Sequence, residues 1–176
     1  MSVSPIRKLQ QLMLATALLA GAGCGSSTVD GPVSGDIPAT AIDESFGGVG
    51  VREIAHSYFS GFNAPSRMVI RNEEVWRAAW ATLNIGMQPG VTPPTIDFSR
   101  SAVILVALGE RGSSGYDLRI SRVAHDANRL YVEVTSTSPG DQCATLTVLT
   151  QPVDVVVIPH NVGEVAFVER HAIAAC

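Results

Sequence analysis

From Val51 onward the chain alternates between apolar and polar positions at a period of two. Ile54, His56 and Tyr58 stand against Glu53, Ala55 and Ser57, and a short apolar run follows at Met68-Val69-Ile70. Both stretches predict strands. The period changes after Asn72, a good helix cap: Glu73 and Glu74 fall in the positive first turn, and Trp76, Ala79, Trp80 and Leu83 recur at helical spacing. This predicts one helix over about 73–84, packed by its tryptophan face, with the indoles serving as core and not as a ligand platform. Gly86 and the Pro-rich stretch GMQPGVTPPTIDF end it.

Ala102 to Leu108, AVILVAL, is uniformly apolar, as suits a central strand buried on both faces. Tyr116, Leu118 and Ile120 alternate with Asp117, Arg119 and Ser121, and Leu130, Val132 and Val134 with Tyr131, Glu133 and Thr135. With a turn at 125–128 between them, they predict an antiparallel hairpin with one dry face. Ala144 to Leu149 and Val153 to Ile158, split by Gln151-Pro152, predict two more strands, and Val165 to Val168 a last one. The expected class is α+β and β-rich: an antiparallel sheet, sandwich- or roll-like, of about six to eight strands with one packed helix.

The first residues follow a different logic. Arg7 and Lys8 precede an apolar run from Leu12 to Ala22, followed by small residues up to Cys24, which is the pattern of an export signal. The run is shorter than the roughly 20 residues a membrane-spanning helix needs. Two processing routes compete. Ala20-Gly21-Ala22 is an A-x-A cleavage site, whereas Gly21-Ala22-Gly23-Cys24 resembles the lipobox of bacterial lipoproteins, in which the cysteine becomes lipidated. The lipobox reading is favoured, although Gly21 stands where Leu is usual. Residues 24–50 are rich in Gly, Ser, Pro and Asp and poor in large apolar residues, so they read as a flexible tether. The expected division is a signal over 1–23, a tether over 24–50 and one globular domain over 51–176.

The formal charge is −4, and loss of Arg7 and Lys8 with the signal leaves 10 basic residues against 16 acidic ones, a net −6. Phosphate backbones need clustered Lys and Arg, so a nucleic-acid partner is disfavoured. With Cys24 acylated, Cys143 and Cys176 remain as an even pair in an oxidising setting, and a disulfide is expected. The competing use of Cys176 with His171 and His160 as metal ligands lacks a recognisable zinc spacing. No metal or cofactor is expected.

Catalytic patterns are hard to assemble. The glycines of Gly109-Glu-Arg-Gly112-Ser-Ser-Gly115-Tyr116 lead into a strand with no Lys following, whereas a phosphate loop leads into a helix. Ser113 or Ser114 with His125 and Asp126 makes a triad only on paper, because no G-x-S-x-G elbow presents the serine. No enzyme is read here. The loop's glycines are explained by turn geometry, which leaves Arg111 and Tyr116 as the surplus. Arg111, Gly112, Ser113, Ser114, Gly115 and Tyr116 are therefore the candidate partner-binding residues.

Four segments, EVWRAAWATL (74–83), Ile96-Asp97-Phe98, GERGSSGYDLRI (109–120) and TVLTQPVDVVVIP (147–159), together resemble the C-terminal domain of the PrcB family. The resemblance spans about Val69 to Arg170. It implies an exported protein, often a lipoprotein, that acts as an accessory subunit assembling or stabilising a secreted subtilisin-like protease. The family's G-[ST]-x-G-Y loop is matched by Gly112 to Tyr116, with Gly112 in place of a common proline and Ser114 in place of a glycine. Ser113 to Tyr116 also resemble, as one tetrapeptide, the cleft-plugging loop of chagasin-like inhibitors. The expected role is thus an envelope-anchored binding module of a protease complex, held to the membrane by its lipid. A protease inhibitor acting through Gly112–Tyr116 is the alternative, as is a structural lipoprotein without a specific client.

Overall fold

The computed structural model describes residues 32–33, 42–45, 51–86, 91–125, 129–159 and 163–176. AVILVAL lies at its centre, as strand β5 (Ser101–Ala107). Its alternate residues serve two cores. Ala102, Ile104 and Val106, with Leu108 just beyond, face a second sheet, while Val103, Leu105 and Ala107 face the helix. That explains a strand with no polar face: it is covered on both sides.

Helix α1 (Glu73–Leu83) starts where the Asn72 side chain accepts the Val75 N–H at 2.9 Å, with Glu73 and Glu74 in its first turn. It packs Trp76, Ala79 and Leu83 on the outer face of a four-stranded antiparallel sheet. That sheet runs β3 (Arg52–Ser57), β8 (Val153–Pro159), β5, β4 (Ser66–Ile70). Trp76 is 0% exposed and its indole N–H donates to the Pro94 carbonyl at 3.0 Å, which satisfies its one polar atom. Trp80 is half-buried beside it, ring centroids 5.2 Å apart, and donates to the Val91 carbonyl at 3.2 Å. The Pro-rich segment after the helix is thus held by both tryptophans.

The second sheet runs β1 (Pro32–Val33), β9 (Glu164–Ala174), β7 (Arg129–Pro139), β6 (Asp117–His125), β2 (Ile42–Ser45). Leu118, Ile120, Val123, Leu130, Val132, Val134, Val165 and Phe167 fill the space between the sheets. The inward face of β6 skips a position because its pairing with β7 bulges between Ile120 and Arg122, so that Val123 rather than Arg122 points in. The β6–β7 hairpin is as expected, and its turn at 126–128 lies outside the described residues.

Two expectations need correction. The sheets are not wholly antiparallel: β9 pairs in parallel with β7 from Arg129↔Glu164 to Pro139↔Ala174, and with β1. The intervening β8 lies in the other sheet and reverses the chain, so β9 returns in the direction of β7. Ala144–Leu149 is no strand; it runs extended and exposed, because the one neighbour it meets is a loop that offers few main-chain pairs. Within the segment expected to be a tether, Pro32–Val33 and Ile42–Ser45 run as edge strands. The rest of 24–50, and the signal with Cys24, lie outside the described residues. Among the described residues no helix is long and apolar enough to cross a membrane.

Cys143 and Cys176 are disulfide-bonded, with Cα atoms 5.1 Å apart. The bond ties the segment leaving β7 to the end of β9, as the cysteine count suggests, and takes Cys176 out of any metal site.

Candidate partner-binding groove

The glycine loop and the exposed segment that follows β7 are built as one unit. Gly109 and Gly115 adopt φ values of +79° and +92°, and a Cβ on Gly109 would lie 2.9 Å from Pro65, so glycine is required there both by angle and by space. Between them, Arg111 exchanges main-chain hydrogen bonds with Thr150 at 2.8 and 2.9 Å. Ser114 clasps Leu146 from both sides: its N–H donates to the Leu146 carbonyl at 3.0 Å, and its hydroxyl accepts the Leu146 N–H at 2.9 Å. The Thr150 hydroxyl donates to the Ser113 carbonyl at 3.0 Å.

The clasp holds Leu146 outward at 73% exposure, with Val148 and Leu149 also exposed. Across from them stand Tyr58 and Phe59, the exposed residues that follow β3. They are anchored where the Gln151 N–H donates to the Tyr58 carbonyl at 2.8 Å. Between the two walls lies a groove of about 480 Å³, floored by Ser114, Gly115, Asp117 and Thr150. Its lining is overwhelmingly apolar. Surface apolar residues scattered singly mean little, but a concave cluster with two aromatic rings is the form a protein contact takes.

The six candidate loop residues divide. Ser114 and Gly115 line the groove, and Ser113 supports it through Thr150. Tyr116 instead packs half-buried against the inter-sheet core, with the Arg111 guanidinium 5.8 Å from its ring centroid. Gly112 is exposed at the tip. The surplus pair Arg111 and Tyr116 thus brace one another beside the groove and do not line it.

Behind the groove sits a polar cluster that sequence reasoning missed. Asp154 is 0% exposed; one carboxylate oxygen accepts the Ile120 N–H at 2.8 Å and the other its neighbour Val155 N–H at 3.1 Å. Burial pushes its carboxyl above the usual carboxylate range, partly offset by the Ile120 bond and by His56. His56 lies between two carboxylates, Nδ1 3.9 Å from Asp154 and Nε2 3.2 Å from Asp117, and meets Tyr58 edge-on at 5.1 Å. The His56–Asp117 approach is of ion-pair length but off-line for a hydrogen bond. Arg119 reaches Glu53 at 3.3 Å and Asp117 at 3.7 Å. The available signal was Asp154 itself, one acidic residue in the run VDVVVI.

The other candidates are not brought together. His125 ends β6 at the far end from the loop, so it is not brought to Ser113 or Ser114, and Asp126 and His160 lie outside the described residues. His171 lies on β9, its two ring nitrogens 3.3 Å from the hydroxyls of Ser136 and Ser138. Among the described residues no group of three or more His, Cys, Asp or Glu is placed to hold a metal ion.

Fold and groove together define the class: a two-sheet β-rich domain, covered by one helix, that displays an apolar groove. The family described as PrcB C-terminal matches residues 102–159, in agreement with the resemblance read from the sequence. The match runs from β5 through β8. It includes the glycine loop, the exposed segment and Asp154, while the tryptophan helix precedes it. No curated protein and no solved structure gives a match.

Proposed function

We propose that this chain is a non-enzymatic accessory subunit of a secreted protease complex, anchored to the bacterial envelope by a lipid on Cys24, and that it stabilises its protease through the groove between Tyr58-Phe59 and Leu146-Val148. The observation that carries the reading is the coincidence of two things. The PrcB C-terminal match spans the whole loop-and-segment wall of the groove, and that wall is hydrogen-bonded so as to hold large apolar side chains in water. Full burial of a leucine side chain is worth roughly 1.5–3 kcal/mol, most of which the monomer forgoes at Leu146 and a partner covering it would recover. The inhibitor alternative draws less support, since Tyr116 of the plug-like tetrapeptide is turned into the core and capped by Arg111.

The test uses the lipidated protein with a subtilisin-like protease purified from the same envelope. A stabiliser leaves turnover unchanged and lengthens the protease's half-life, and Leu146→Asp, at an exposed site, keeps the melting temperature while losing that effect. Lower turnover at stoichiometric amounts would instead support inhibition. No effect of the wild type on lifetime or turnover would refute both.

A further inference from the structure

The groove has an acidic end. Asp117 lies in its lining with the side chain 29% exposed, while its Oδ1, the atom turned toward His56, is buried and accepts no aligned hydrogen bond. The exposure therefore falls on the remainder of the side chain, where Oδ2 lies 3.7 Å from Arg119 Nε, beyond hydrogen-bond reach. Arg119 is shared: its Nη1 stands 3.3 Å from Glu53. One guanidinium thus serves two carboxylates, and Asp154 lies behind them in the core. Arg111, the cation of the adjacent loop, is directed away, with Nη1 donating to the Glu110 carbonyl at 2.8 Å and its guanidinium beside the Tyr116 ring. The groove's apolar length ends at a carboxylate that shares Arg119 with Glu53 and His56 with Asp154, so acidic groups outnumber the cationic ones around it.

We propose that the groove takes an arginine side chain from an extended segment of the partner, with its stem against Leu146 and Val148 and its guanidinium on the Asp117 carboxylate. This deepens the proposed function and rests on the groove being the contact surface. Charge complementarity selects a cation. Among cations, arginine fits the surroundings: it is weakly hydrated, offers a planar fork to a carboxylate, and stacks on aromatic faces such as those of Tyr58 and Phe59. The compact, strongly hydrated lysine ammonium loses more on entering an apolar groove. The extended form follows from the wall. Among the described residues, Thr147, Val148 and Leu149 make no main-chain hydrogen bond, so their backbone is open to pairing with an incoming strand.

The experiment measures fluorescence anisotropy of the full mature chain in detergent micelles with three labelled peptides: acetyl-Ala-Val-Arg-Val-Ala amide and its counterparts carrying citrulline or norleucine at the central position. Citrulline keeps the shape and removes the charge, so the comparison holds even where a protein variant fails to fold. The arginine peptide is expected to bind about tenfold tighter than the citrulline peptide, the increment of a charge-assisted over a neutral hydrogen bond. Asp117→Asn is expected to bring that ratio near one, and Leu146→Asp to weaken all three. Equal affinities for arginine and citrulline, or a ratio untouched by Asp117→Asn, overturn the anchor. If all three peptides bind equally and Leu146→Asp weakens them alike, the groove remains a contact surface and only the arginine is wrong. If none binds, the anchor is overturned, and the protease-lifetime measurement judges the wider reading separately.

Discussion

Asp154, the second residue of β8, crosses the gap between the sheets to accept the main-chain N–H of Ile120 in β6 at 2.8 Å. The β6 bulge lies between Ile120 and Arg122, where an amide leaves the ladder and needs an acceptor from elsewhere. Asp154 supplies one from a position that is otherwise apolar.

Removing that acceptor leaves the buried Ile120 N–H without a partner. Asp154→Ala is expected to cost about 1–3 kcal/mol, and Asp154→Asn, which keeps a carbonyl oxygen, less. Urea unfolding of both variants beside the wild type measures this, and an Asp154→Ala midpoint equal to the wild type's would mean that the bond is worth nothing net.

The same carboxyl gives a pH signature. Burial raises its folded-state pKa above the ordinary value, so the folded chain keeps the proton to higher pH than the unfolded chain does. The stability this group contributes is therefore present below the ordinary carboxylate pKa of about 4 and is lost as pH rises through the raised value. Melting temperatures of wild type minus Asp154→Asn, taken in matched buffers from acid upward, should fall across that window. A flat or rising difference contradicts the assignment.

Trp76 and Trp80 share a helix face but not a burden. Trp76→Ala opens a cavity at a fully buried site and is expected to cost about 3–5 kcal/mol, whereas half-buried Trp80→Ala should cost clearly less. Thermal or chemical unfolding decides, and equal losses would show that both rings are held alike.

The Cys143–Cys176 bond closes a loop with a sequence separation of 33. The chain-entropy estimate for such a loop is about 3–4 kcal/mol, so a Cys143→Ser, Cys176→Ser double variant should unfold at correspondingly lower denaturant. In the unreduced protein, maleimide labelling should find neither thiol; two reactive thiols would disprove the pairing.

Mass spectrometry of the mature N-terminus addresses the proposed anchor. A diacylglyceryl-modified Cys24 is the expected species, and an unmodified terminus beginning at Gly23 would place processing at the A-x-A site instead.

What could be read ahead from the chain was what is written locally. Asn72 and the tryptophan spacing define the helix because capping and periodicity are properties of neighbouring residues, and AVILVAL shows its double burial by lacking a polar face. Direction of pairing is not so written. Val165–Val168 reads as a strand, yet nothing in its side chains tells whether its neighbour runs parallel. Ala144–Leu149 has a strand's composition but lacks a strand beside it, and only the fold reveals that. In the loop, the glycines announced a tight backbone, while the groove itself needs Tyr58 and Phe59 brought against Leu146 and Val148 from far along the chain. Arg111 and Tyr116 stood out in the sequence for being unexplained by turn geometry, and their explanation is each other.

The position of β9 bears on how the molecule comes together. This last strand is inserted between β1 and β7, and its long parallel pairing with β7 cannot be zipped up from a hairpin. The second sheet therefore waits for β9, a non-local closure of the kind that slows folding. Until it arrives, β7 presents an unpaired edge from Arg129 to Pro139, rich in β-branched residues. A chain clipped after β8 would keep that edge permanently and would be prone to pair with its own kind, making β9 a guard against aggregation as well as a piece of the core.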